Sequence, residues 1–246
     1  MIRSLLFVLI FCTTAAPAFA QAPGDRTKAR AQNRAGWDYM KNEQFENAVK
    51  AFQSAVETDA TFEMPWYGLG RAHLALKQFA SATSALTRCR DLYQQQAGRQ
   101  FTNQQEAQRF RNDRIVELDE MIRQVQSGPM TIQRQDQLRQ LQDQKRQLQE
   151  IINRGNAVAI EKTVPAWVSL SLGSAYFRAG KLPDAEREFK AAAEADRRSG
   201  EALSNLAVVY LETERFPQAL EAIEAAKKTG FRVNPELEKV IRSRAK

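Results

Sequence analysis

LGSAYFRAGKLPDAEREFKAAAEAD, residues 172–196, sets the small residues Gly173, Ala185 and Ala192 at fixed intervals between rings. The spacing recurs. Gly36 and Gly70 stand 34 residues apart, as do Gly173 and Ala207. Three residues after each lies a ring: Tyr39, His73, Tyr176 and Tyr210. Twelve after each lies Ala48, Ala82, Ala185 or Ala219, and sixteen after, Phe52, Leu86, Phe189 or Ile223. Nineteen after come Ala55, Cys89, Ala192 and Ala226. Four copies agreeing at five positions predict four antiparallel helix pairs. Small residues let the two helices of a pair cross closely, while the ring and the Phe-type position are expected to fill the wedge towards the next pair. Pro183 and Pro217 fall where the second helix of a pair should begin, in a first turn whose N–H has no helical partner.

The composition agrees with an all-helical chain. Its 246 residues are rich in Ala, Gln, Arg, Glu and Leu, with only 11 glycines and 8 prolines. One histidine and two cysteines leave almost no raw material for zinc clusters, Ser-His triads or Cys-His pairs. There is no glycine-rich phosphate loop either. The expectation is a non-enzyme with no cofactor and no metal. His73 sits where its siblings have Tyr, and Cys89 fills a small slot, so both are expected to pack.

The pattern resembles the tetratricopeptide repeat family, whose period is 34 residues. WYGLGRAHLALKQFASATSAL, in the second copy, carries Trp66, Leu69 and Gly70 of the family signature, and the third copy carries Leu172 and Gly173. His73 in place of Tyr, Cys89 in place of Ala and the missing closing Pro are departures. The resemblance covers residues 29–96 and 166–233. It implies a curved solenoid whose concave side, lined by the first helix of each pair, holds protein or peptide partners. The positions it carries over are Asn33 and Trp37, Tyr67 and Arg71, Trp167, Ser174 and Arg178, and Ser204 and Asn205. A carboxylate clamp for acidic chain ends is not implied, because its positions hold Asn33, Trp37, Gly68, Trp167 and Ser171.

Between Gly70 and Gly173 lie 103 residues where one period would be 34. The inserted segment, 97–165, lacks the repeat pattern and is rich in Gln and Arg. Ile115, Leu118, Ile122 and Val125 step by three and four, and Leu138, Leu141, Leu148 and Ile152 continue the seam after Gly128-Pro129. Lys145 interrupts it. This predicts a long antiparallel helical hairpin, coiled coil-like, with arms of about 25 residues projecting roughly 35–40 Å. The same seam would serve a homodimer, so self-assembly through the hairpin is the competing expectation. Asn234-Pro235 restarts a helix with an apolar face of Leu237, Val240 and Ile241, giving a capping helix over 234–246.

Residues 1–20 read as a secretory signal: Arg3, an apolar run over 5–11, and Ala18-Phe19-Ala20 placing cleavage before Gln21. Residues 21–28 are expected to be disordered. The run is too short for a transmembrane segment, and the mature chain is expected to be exported, periplasmic in a Gram-negative cell and otherwise secreted. Cleavage leaves Cys89 alone, so no disulfide forms within one chain. The net charge of +7 drops to +6 with the loss of Arg3. Export disfavours nucleic acid and leaves a protein partner, with peripheral envelope contact of the basic arm as a further, salt-dependent expectation. The functional expectation is an adaptor or scaffold. Its alternative is a self-assembling subunit of an envelope or secretion complex.

Overall fold

The first repeat shows how each pair is built. Helix α1 (Arg26–Lys41) and helix α2 (Phe45–Thr58) pack face to face, with Gly36 of α1 against the ring of the fully buried Phe52 of α2. A Cβ at Gly36 would lie 2.5 Å from that ring. The same pairing joins Gly70 to Leu86 and Gly173 to Phe189 in later copies. The Phe-type residue, expected against the next pair, thus packs first within its own, because the glycine sixteen residues earlier leaves room for it there. Phe52 also covers Gly68 of the next pair, so one ring seals two interfaces.

In the computed structural model, residues 25–96, 104–126, 132–153 and 164–245 are described, and all their regular elements are helices. The second pair is α3 (Glu63–Ala75) and α4 (Phe79–Gln96). The insertion forms α5 (Gln104–Gln126) and α6 (Ile132–Asn153). Two further pairs follow: α7 (Ala166–Arg178) with α8 (Leu182–Ala195), and α9 (Gly200–Glu212) with α10 (Phe216–Lys228). Helix α11 (Pro235–Arg244) caps the array. The expected signal segment, its Cys12 and the Gly128-Pro129 turn lie outside the described residues. No helix among the described residues is long and apolar enough to cross a membrane.

Every pair turns the same way. The backbone N–H groups of Gln44, Gln78, Lys181 and Arg215 donate to the carbonyls of the repeated ring positions, Tyr39, His73, Tyr176 and Tyr210, at 2.8–2.9 Å. This six-residue closure needs a left-handed residue just before the donor. Glu43, Lys77, Gly180 and Glu214 supply it with φ of 57°, 59°, 73° and 57°. They too are 34 residues apart within each half, and only one copy uses glycine.

The two halves form one solenoid. Helix α4 packs on α7 as α2 packs on α3 and α8 on α9, so the insertion leaves the stack and re-enters it without a break. Across this junction Arg90 Nη1 meets the buried Glu188 at 2.7 Å, and the Thr87 and Tyr176 hydroxyls lie 3.3 Å apart. Cys89 is fully buried in the same region, as its small slot predicts.

Two expectations need correction. The disordered stretch expected over 21–28 gives way at its end: α1 starts at Arg26, because Asp25 caps the Lys28 N–H and Arg26 pairs with Asp59 at 2.7 Å. The capping helix buries Ile241 and packs Leu237, but Val240 faces solvent at 42% exposure. Its start is as expected, with the Asn234 side chain accepting from the Glu236 N–H.

Candidate functional site

Helices α1, α3 and α7 present one side chain after another to the same face. Trp37 from α1, Tyr67 from α3 and Trp167 from α7 form a row, with ring centroids 6.0 Å apart in the first step and 4.4 Å in the second. The second contact is edge-to-face, a favourable arrangement for ring quadrupoles. Tyr93, from the end of α4, meets Trp167 edge-on at 6.0 Å. Arg71 stands one turn along α3 from Tyr67 and donates to its hydroxyl at 2.9 Å, while the Ser171 hydroxyl lies 3.3 Å from that same oxygen.

Helix α5 crosses this face at its N-terminal end. The pairs are Arg30–Asp113 at 2.9 Å, Arg26–Glu117 at 3.9 Å and Arg34–Glu120 at 3.8 Å. Leu118, Met121 and Val125 of α5 join Met64, Tyr67 and Tyr93 in one buried cluster. Below them Arg114 pairs with Glu117 at 3.1 Å and lies over the ring of Tyr93, whose phenol burial pushes well above its ordinary value. The hairpin therefore does not simply project. Its two arms pack on each other, with Leu118, Leu141 and Leu148 in one buried cluster, and Lys145, the interruption in the seam, pairs with Asp119 of the opposite arm at 2.6 Å. One arm then seats on the solenoid, because α5 carries a second apolar position, Met121, and acids matched to the arginines of α1.

What remains open is a channel made of two adjoining cavities of about 870 and 720 Å³. Six residues line both: Met40, Phe45, Tyr67, Arg71, Arg134 and Trp167. The larger cavity runs beneath α5 and includes Asn33 and Trp37; the smaller opens over α7 and includes Ser174 and Arg178. Seven of the nine candidate residues thus line one space. Ser204 and Asn205 do not, because the channel meets α9 at Glu201, a turn before them. Residues the sequence reading missed are Glu120, Met121, Arg123 and Arg134 of the hairpin. The arginines at 26, 30 and 34, one per turn along α1, are the signal that could have paired it with the acids of α5.

Among the described residues, several polar groups of the larger cavity find no hydrogen-bond partner. Asn33 is 1% exposed, yet neither its Oδ1 nor its Nδ2 has a hydrogen-bond partner among the described residues, and the Trp37 Nε1–H is likewise unmatched among them. Both Glu120 oxygens lack a donor within bonding distance, and burial pushes that carboxyl above the usual range, against the pull of Arg34 and Arg30.

A tetratricopeptide repeat family model matches residues 33–97 and 170–231, just over half of the sequence. The chain belongs to the tetratricopeptide repeat family. This TPR chain is similar in fold to the crystal structure of MamA, with a TM-score of 0.52 at 13% identity over 84% of this chain and 80% of that one. A thermophilic TPR protein of Thermus thermophilus aligns with a TM-score of 0.35 at 17% identity, over 88% and 98% of the two chains. The type IV pilus biogenesis factor PilW gives 0.40 at 12% identity, over 88% and 85%. At 13% identity the likeness to MamA is one of fold alone. No curated protein matches the sequence.

Proposed function

We propose that this TPR chain is an exported, non-enzymatic adaptor that holds a segment of a partner protein in its concave channel. TPR proteins generally mediate protein–protein interactions, and one observation carries the reading to this channel: Trp37, Tyr67 and Trp167 reach it from three different helix pairs. Trp, Tyr and Arg are the side chains on which interface energy concentrates. Export rests on the leader pattern of residues 1–20, with periplasmic residence in a Gram-negative cell and secretion otherwise. Because α5 and α6 already pack on each other within one chain, with Lys145 paired to Asp119, the adaptor is favoured over a self-assembling subunit.

Affinity capture from native envelope extract tests this, with three baits that each begin at Gln21. They are the unaltered protein, Arg178→Glu, and a form with residues 98–163 replaced by a short Gly-Ser linker. A partner kept by the linker form and lost by Arg178→Glu is the expected result. A partner lost only with the hairpin would move recognition to α5 and α6. Dimers of the unaltered protein that the linker form cannot make would restore self-assembly.

A further inference from the structure

The charge around the channel is unbalanced where it opens. Arg71, Lys77, Arg134 and Arg178 line the smaller cavity, and Glu201 is the one carboxylate among its lining residues. Arg178 and Lys77 make no ion pair with any described residue. Apolar surface lies between them, from Leu74, Trp167 and Leu170. At the other end of the same face, the protein displays what such a surface accepts. There α5 lays down Leu118, Met121 and Val125 while Asp113, Glu117 and Glu120 meet the arginines of α1. The occupant of the first two repeats is an amphipathic segment of the chain itself, which turns three of its acids to the arginines of α1.

Resting on the adaptor reading, we propose that the partner supplies an acidic, apolar segment that continues this pattern over the open part of the channel. Its side-chain carboxylates meet Arg71 and Arg178, and its apolar residues lie on Trp167 and Leu170. A second copy of this chain is a poor occupant, since a net charge of +6 after loss of residues 1–20 repels itself. The recognition differs from capture of a chain end, because the charge sits on side chains along the segment.

The test is selection from a displayed library of random 12-residue peptides fused at their C-termini, which removes free carboxyl ends. The full mature chain is the target, with Arg178→Glu and Arg71→Glu as counter-targets and Lys239→Glu, on the exposed face of α11, as the control. The expected pool is enriched in Asp and Glu interspersed with Leu, Phe or Trp. Its representatives should bind at least tenfold more weakly to either channel variant, bind unchanged to the control, and weaken between 50 and 300 mM salt. An enriched pool without acidic bias, or an acidic pool indifferent to Arg71→Glu and Arg178→Glu, overturns this inference and leaves the adaptor reading standing. A wild-type protein that enriches nothing, and whose captured partner ignores Arg178→Glu, removes the channel as a binding site and both readings with it.

Discussion

Gly36 has no room for a side chain because the Phe52 ring already occupies the place where one would go. Gly36→Ala is expected to lower stability by about 1–3 kcal/mol, the usual cost of forcing a methyl into a filled core. The midpoint of urea unfolding, with an unchanged slope, checks it. A second residue answers to acid. Arg215 grips Glu186 with both terminal nitrogens, at 3.1 and 2.5 Å, and Lys190 adds a third contact at 2.8 Å. Those hydrogen bonds, led by that of Arg215, hold the Glu186 carboxyl down at about 2. A carboxyl depressed in the folded state stabilises fully above its ordinary value and loses that contribution as pH falls through the folded one. The melting-temperature difference between wild type and Glu186→Gln should therefore be full at pH 6 and close progressively from pH 4.5 towards 2. At this scale the sixteen-residue interval was legible in the sequence, although the Phe-type side chain, expected against the next pair, also closes on the glycine of its own. The orphaned groups of Asn33 and Trp37 were not. They are buried beneath α5, and the ion pair that anchors α5 to α1 joins residues 83 apart in sequence.

The hairpin is the element on which sequence and structure part company. Its seam was visible as a heptad, and even the misfit Lys145 finds its reason in Asp119. Its docking was not visible, because a heptad describes how two arms meet and says nothing about what the outer face of one arm touches. The seam itself divides on the solenoid: Leu118 and Val125 are buried with Met121, while Ile115 and Ile122 are only partly covered. Leu118 is 1% exposed in the cluster that joins hairpin and solenoid. Leu118→Ala should cost about 2–5 kcal/mol as a core truncation. The loss should also be local. Hydrogen exchange is expected to show α5 and α6 losing protection while α8, α9 and α10 keep theirs, since their core cluster contains no hairpin residue. Equal loss in both halves would show that α5 is integral to the whole array.

A stack of helix pairs is ordinarily a one-dimensional object, each unit touching only its neighbours. The period predicted this stack, and the two halves join as if nothing had been inserted between them. The sequence could not say so, because 69 extra residues at the junction are compatible with either one groove or two. The C-terminal half keeps the one-dimensional plan, ending in the single cap α11. The N-terminal half does not: α5 ties α1 to α4 over the top of α3 through Arg30, Met64 and Tyr93. A molecule so built is a spring at one end and a strut at the other. Pulled from both termini in an optical trap, α11 and the last two pairs should peel away in small successive steps at low force. The braced half should hold until a single, larger rip releases it. Removing the strut by the linker replacement should turn that rip into the same small steps, and the protein would then stretch evenly along its length.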